Sequence, residues 1–219
     1  MRTRTVLSAG AVAALALIGP GLAIGGNSSP AAAPRCPPAA AHLLARGRIM
    51  RVYRTGAGPS QGAVEACLAG RRGHMTLLGA RGPGLGGRSL SVAASSGPLL
   101  AYLVTSFGVD SGATALLVAD VQARRVIREL PAGHYVDAGI AGYERVEKVA
   151  LGPEGAVGWI SASSEGRQRP VSYIVHGAAT IGEPRVLDEG PDIGPTSLTL
   201  SGRTLHWWHA GTERSAPLP

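Results

Sequence analysis

Three segments of the chain are versions of one pattern. Ser89–Ser106 reads SLSVAASSGPLLAYLVTS, Val146–Ser163 reads VEKVALGPEGAVGWISAS, and Ser197–Gly211 reads SLTLSGRTLHWWHAG. Each contains a short apolar strand, a glycine-containing turn, and a second strand with a large aromatic at a matching place. The aromatics are Tyr102, Trp159 and Trp207, separated by 57 and 48 residues. A unit this small cannot bury its apolar faces alone, so copies must stack on one another. A repeat of about 40–50 residues built from short strands is the sequence sign of a propeller-like array.

Period-two apolar alternation recurs along the chain, broken every 8–12 residues or so by Gly, Pro or Asp, which is the pattern of an all-β fold. The alternation predicts strands over Arg48–Thr55, Ala63–Ala69, His74–Leu78, Ser89–Ala94, Leu99–Ser106, Ala113–Asp120 and Arg125–Leu130. It predicts seven more over Val146–Leu151, Ala156–Ser161, Val171–His176, Arg185–Asp188, Ser197–Leu200, Thr204–His209 and Arg214–Leu218. Ala39–Ala45 is read as one or two helical turns at most. Grouped by the repeat, Ser89–Leu130 and Val146–Asp188 each supply four strands, and the two ends are each one strand short. The expected fold is an all-β, propeller-like array of about 3–4 small antiparallel sheets, either closed or incomplete. A closed form would join the first and last strands in one shared sheet and hide both edges.

Met1-Arg2-Thr3-Arg4-Thr5 followed by an apolar run from Val6 to Ile18 reads as a secretory signal peptide over residues 1–23, with cleavage after Ala23. The run's 13 residues fall short of the roughly 20 that a membrane span needs. Residues 24–41, rich in Gly, Ser, Pro and Ala, read as a disordered linker, and residues 42–219 as the β domain. The implied location is extracytoplasmic, secreted or envelope-associated. In that setting the two cysteines, Cys36 and Cys67, are expected to form a disulfide. With no Cys-x-x-Cys, a structural zinc site is not expected.

Charge is uneven. Between Arg35 and Arg88 nine arginines face one acid, Glu65, while from Ser89 onward ten basic residues face thirteen acids. Arg46, Arg48, Arg51, Arg54, Arg71 and Arg72 therefore offer a basic stripe to an anionic envelope polymer. Nucleic acid is not an expected partner of an exported protein. The plainer explanation of the stripe is compositional: twenty of the twenty-one basic residues are Arg, as codon bias in a GC-rich genome would give.

The stretch Leu116-Leu117-Val118-Ala119-Asp120-Val121-Gln122-Ala123-Arg124-Arg125-Val126 resembles the hairpins of WD40- and TolB-like propeller blades: apolar run, Asp, apolar residue, turn, basic residue, apolar residue. The ending Ser197–Gly202, then Leu205-His206-Trp207, then Arg214–Leu218, resembles the end of a family of uncharacterised exported proteins of high-GC Gram-positive bacteria. The resemblance covers about 170 residues. It implies a β-propeller-like fold and export, and it carries no catalytic residue.

Gly82-Pro83-Gly84-Leu85-Gly86-Gly87 matches G-x-G-x-x-G, but Gly97-Pro98 follows too soon for the helix a dinucleotide site requires. It reads as a connection between units, and no cofactor is expected. The six histidines show no ligand spacing. His206 and His209, three apart on a strand, point to opposite faces. A Ser-His-Asp hydrolase is possible on any fold, because its members can lie far apart in sequence. Glu144/Glu147 and Asp188-Glu189-Gly190-Pro191-Asp192 are the acidic clusters from which a glycosidase pair could come, although turns favour such residues for backbone reasons. Trp207-Trp208 should place one ring in the core and one outward, so Trp208 and His209 are the candidate ligand contacts. The expected function is a non-enzymatic binding or scaffold module at the cell envelope, with an envelope protein or glycan as partner. The alternative is an envelope enzyme acting on glycan or peptide at the mouth of the propeller funnel.

Overall fold

The computed structural model describes residues 36–56, 62–80, 87–136, 141–166 and 170–218. The signal peptide, the linker up to residue 35 and Gly82–Gly86 lie outside the described residues. The fold is all-β. Its strands are β1 (His42–Arg46), β2 (Met50–Arg54), β3 (Val64–Leu68), β4 (Met75–Leu78), β5 (Gly87–Ser96), β6 (Leu99–Phe107), β7 (Gly112–Asp120) and β8 (Arg125–Val136). They continue with β9 (Gly142–Leu151), β10 (Val157–Ser164), β11 (Ser172–Ala178), β12 (Arg185–Gly190), β13 (Thr199–Ser201), β14 (Thr204–His209) and β15 (Thr212–Pro217). Among the described residues no helix is long and apolar enough to cross a membrane.

All fourteen expected strands are present, with ends shifted by a few residues, and β1 is an addition. Its sequence, His-Leu-Leu-Ala-Arg, is not a helical turn. It pairs antiparallel with β2 (Leu43 opposite Tyr53, Arg46 opposite Arg51) around a bulge at Leu44. The pairing partner decided the conformation, which local propensity alone could not.

The strands form three antiparallel sheets, none closed on itself: β1–β4, β5–β12 in sequence order, and β13–β15. The large sheet is two four-stranded halves. Among the described residues they pair through His134–Glu144, Tyr135–Tyr143 and Val136–Gly142, because β8 runs six residues beyond its expected end. Four consecutive units result: unit 1 (β1–β4), unit 2 (β5–β8), unit 3 (β9–β12) and unit 4 (β13–β15).

Period-two alternation gives each unit two faces, and three core clusters fill the gaps between successive units. Met50, Val52 and Leu68 of unit 1 meet Leu100, Tyr102 and Val104 of unit 2. Ala101, Leu116 and Leu130, on the opposite face of unit 2, meet Val149, Val157 and Trp159 of unit 3. Ile160 and Val175, on the far face of unit 3, meet Leu205, Trp207 and Leu218 of unit 4. Sequence neighbours such as Trp159 and Ile160 therefore serve different cores. The inner strands β5 and β9 lie against one another, as do β9 and β13.

Close approach between units explains Gly158. A Cβ there would lie 2.4 Å from Leu205 Cδ1, and Leu205 is fully buried. Gly158→Ala is expected to destabilise the protein by about 1–3 kcal/mol through overpacking, which urea denaturation would measure.

Candidate functional site: a row of equivalent positions between the units

Register defines equivalent positions in the units. The second-strand aromatics are Tyr102, Trp159 and Trp207, each buried and each facing the preceding unit. Tyr53 of unit 1, also buried, takes the same place on β2, 49 residues before Tyr102. Two positions beyond the aromatic stand Val104, Ser161 and His209. The partners of Val104 and Ser161 on the first strand are Leu90 and Val146, whereas His209 meets Ile193, upstream of β13, in an isolated bridge.

Unit 3 fills this position with a polar network. Ser161, fully buried, donates its hydroxyl hydrogen to Glu144 Oε1 at 2.6 Å. His176 Nε2 lies 3.0 Å from Ser161 Oγ and 3.2 Å from the same Glu144 oxygen. The His176 ring stacks on Trp159 at 4.7 Å with an interplanar angle of 10°. From the extension of β8, His134 Nδ1 approaches Glu144 Oε2 at 3.9 Å. The hydrogen bond from His176 holds the Glu144 carboxyl below its ordinary range, against the opposing effect of burial and with help from Ser161.

Three of the residue types of a hydrolytic triad thus converge, but in the wrong order. In a triad the imidazole takes the serine proton on one nitrogen and is held by the acid through the other. Here the hydroxyl proton goes to the carboxylate, and both groups crowd the same imidazole nitrogen. With Ser161 donating to Glu144, His176 Nε2 must carry a hydrogen to satisfy either neighbour, so it cannot act as base toward Ser161. A hydroxyl sealed from solvent also has no route to a substrate. The arrangement is a satisfied cross-strand hydrogen-bond network of β9, β10 and β11.

A second polar group joins unit 3, through Asp188 on β12, to unit 4. Asp188 Oδ2 accepts from Trp207 Nε1 at 2.7 Å and lies 2.9 Å from His209 Nδ1; Arg214 Nε is 3.8 Å away. Burial raises the Asp188 carboxyl, but the bonds from Trp207 and His209 outweigh it, and its pKa lies below the ordinary value. Leu130 of unit 2 occupies the place of Asp188, one strand pair before the residue opposite the aromatic. That substitution explains why Trp159 Nε1 is buried without a hydrogen-bond partner.

Unit 2 leaves the position open. Arg88 pairs with Ser106 as Glu144 pairs with Ser163, so Arg88 replaces Glu144. Val104 replaces Ser161, and Leu117 replaces His176. Around them is a pocket of about 430 Å³, walled by Ala113, Ala115, Pro131 and Glu129. Burial pushes the Tyr102 phenol up to about 12, with Glu129 raising it and Arg88 lowering it.

The residues marked in the sequence are distributed as follows. Cys36 and Cys67 form the expected disulfide, with Cα atoms 5.9 Å apart. Trp207 points into the core while Trp208 is 50 % exposed on the outer face of the last sheet. His209 is turned to the opposite face from Trp208 and held by Asp188, so the structure separates these two candidate contacts. His206 faces outward against Glu213 at 3.1 Å. Glu147 pairs with Arg145 at 2.7 Å, while Glu144 and Asp188, both on unit 3, belong to separate networks. Arg46, Arg48, Arg71 and Arg72 are exposed at the β1–β2 and β3–β4 turns, whose backbones meet through Ala69 N–H and Ile49 C=O. Arg51 and Arg54 are half-buried; Arg51 caps the carbonyls of Gly47 and Met50, and Arg54 Nε is enclosed without a hydrogen-bond partner. Among the described residues no group of acids, histidines and cysteines is arranged to hold a metal ion.

The Glu144–Ser161–His176 network was not visible in the sequence, because its members are 15 to 32 residues apart and only the strand register brings them together. No protein-family model, curated protein or solved structure matches the chain.

The two depressed carboxyls predict an acid-sensitive domain. A carboxyl with folded pKa below its unfolded value stabilises the fold fully above the unfolded value, 4.5 for Glu144 and 3.8 for Asp188. That contribution is lost as pH falls through the lower, folded value. The thermal midpoint is expected to drop between about pH 5 and pH 3, with a shallower drop in Glu144→Gln, whose side chain no longer titrates. Equal slopes for the two proteins would remove Glu144 from this account.

Proposed function

We propose that the four units are blades of an incomplete propeller-like array, and that the protein is an exported, non-enzymatic binding or scaffold module of the cell envelope. Support for the array comes from the three successive cores, the adjacency of the inner strands and the repeated aromatic facing the preceding unit. Among the described residues no core cluster joins the outer faces of the first and last sheets. The disulfide is in keeping with an oxidising, extracytoplasmic compartment.

The observation that carries the binding reading is the contrast within the row. Where polar groups converge, within unit 3 and between units 3 and 4, they bond to one another and are mostly buried, with His134 and Arg214 exposed at their edges. Where the position is open, in unit 2, the walls are apolar and small with two charges, which is the makeup of a recognition pocket rather than a reaction centre. A second surface is basic. Arg124 Nη2 donates to the carbonyl of Arg72 at 3.3 Å, which sets Arg124 and Arg125 beside Arg71 and Arg72 and extends the cationic rim toward an anionic polymer.

The test is capture from envelope extract by the immobilised full chain at low and at high salt. Retention of a defined glycan or protein at high salt is expected of a shaped site. Capture of anionic polymer alone, lost as salt screens the charges, would leave only the arginine rim as the active feature.

A further inference from the structure

We propose that the arginine-bearing turns of units 1 and 2 dock the protein on an anionic phospholipid bilayer, with the Arg48-Ile49 tip of the β1–β2 hairpin entering the headgroup layer. This assignment rests on the envelope-module reading and names the partner of its cationic rim.

Three turns form one surface. Gly47 N–H donates to Met50 C=O at 2.9 Å, so Arg48 and Ile49 are the two residues at the tip of the β1–β2 hairpin. Ala69 N–H donates to Ile49 C=O at 2.7 Å, which seats the β3–β4 turn against that tip. Arg124, from the β7–β8 turn, donates to the carbonyl of Arg72 and lies over Gly73, where a Cβ would fall 1.9 Å from Arg124 Nη2. Turns of two units are thus fastened side by side through backbone carbonyls.

Charge on this surface is unbalanced. Residues 46–49, 69–74 and 120–125 hold six arginines and one acid, Asp120, a formal charge of +5. Arg46, Arg48, Arg71, Arg72 and Arg125 are exposed, and their side chains make no hydrogen bond or ion pair among the described residues. Asp120 accepts from the backbone N–H of Ala123 at 2.9 Å. Guanidinium groups gathered without acid partners repel one another, and a layer of external phosphates relieves that repulsion through charge-assisted hydrogen bonds.

Apolar exposure selects a bilayer over a soluble polyanion. Turn positions ordinarily hold Gly, Pro, Asn, Asp or Ser, yet this tip holds Arg48 and Ile49, and Ile49 is 40 % exposed. Val126, directly after Arg125, is 42 % exposed. A hydrated polymer offers an exposed isoleucine no apolar surroundings. At a membrane surface the arginines engage phosphates while neighbouring apolar side chains enter the boundary between headgroups and acyl chains. Beside the tip a cleft of about 370 Å³ is walled by Arg48, Ile49, Met50, Ser95 and Gly97. The Arg48 guanidinium and the Ser95 hydroxyl are the donors it offers to a headgroup phosphate.

Co-sedimentation of the full chain with mixed phosphatidylglycerol and phosphatidylcholine vesicles, against phosphatidylcholine vesicles alone, tests the assignment. Binding is expected to favour the anionic vesicles and to weaken as salt rises. Each arginine near such a surface contributes about fivefold in affinity, so Arg48→Gln/Arg71→Gln/Arg72→Gln should bind them about a hundredfold less tightly. Ile49→Ser should weaken vesicle binding about threefold or more and leave binding of soluble polyphosphate unchanged. Residues 1–35 are the same in every protein compared, and amide exchange reads the rim locally: residues 47–50 and 69–73 should exchange more slowly on the anionic vesicles only. Unchanged thermal midpoints establish that the variants are folded. Equal binding to both kinds of vesicle, no slowing at these turns, or parent-like vesicle binding by either variant overturns the assignment. Polyphosphate binding without vesicle binding also overturns it and gives the rim to a polymer. If vesicle binding fails while envelope capture at high salt persists, the module reading stands and only the docking surface fails; if capture is lost as well, both fail.

Discussion

Trp159→Ala is expected to lower the stability of the domain by about 3–5 kcal/mol, the cost of removing a large aromatic from a packed core. For a domain of this size that corresponds to a fall in thermal midpoint on the order of 10 °C. Trp159 is 1 % exposed and packs in the core between units 2 and 3. Its ring also supports His176, so its loss loosens the Glu144 network as well as leaving a cavity. The indole nitrogen contributes little, since it is unpartnered. Trp159→Phe should therefore recover most of the loss, whereas Trp207→Phe should not, because there Asp188 would lose a 2.7 Å hydrogen bond and remain half-satisfied. Comparable recovery at both positions would show that the Asp188 bond contributes nothing.

Loss of the Cys36–Cys67 disulfide is expected to cost about 3–4 kcal/mol on the chain-entropy model for its sequence separation of 31. The effect should concentrate in unit 1. Cys67 is buried on β3 next to Tyr53 and Glu65, and the bridge brings residues 36–38 over that face, around a cavity of about 270 Å³. Burial, reinforced by the hydrogen bond to Glu65, raises the Tyr53 phenol well above its ordinary value, so the phenol keeps its proton and donates to Glu65. In the Cys36→Ser/Cys67→Ser variant, amide exchange should rise first in β2 and β3, with β10 and β11 nearly unchanged. Uniform acceleration through all four units would mean that the array unfolds as one cooperative block.

The all-β class and nearly every strand were legible in the sequence, because alternation of period two reports directly on a face that must be buried. The repeat was legible through Tyr102, Trp159 and Trp207, and Tyr53 extends it to a fourth copy. Two features were not legible. β1 carries exposed Leu43 and Leu44, an apolar pair without alternation, and only pairing with β2 makes it a strand. The extension of β8 to Val136 passes through Pro131 and Gly133, residues that weaken a strand assignment, yet bulges in its pairing with β7 accommodate them. That extension merges units 2 and 3 into one sheet and brings His134 to the edge of the polar network of β9, β10 and β11. The outward placement of Trp208 followed from alternation; the capture of His209 by Asp188 required the packing of unit 4 on unit 3.

On the function proposed above, polar convergence in unit 3 ties β9, β10 and β11 together and recognition occurs elsewhere. This claim is tested most directly by comparing envelope capture at high salt for the full chain and for Ser161→Ala. The expected result is the same partner, retained equally by both proteins. A Ser161→Ala protein that keeps its fold but loses the partner would place function in the buried network and contradict the claim, as would a parent chain that retains nothing.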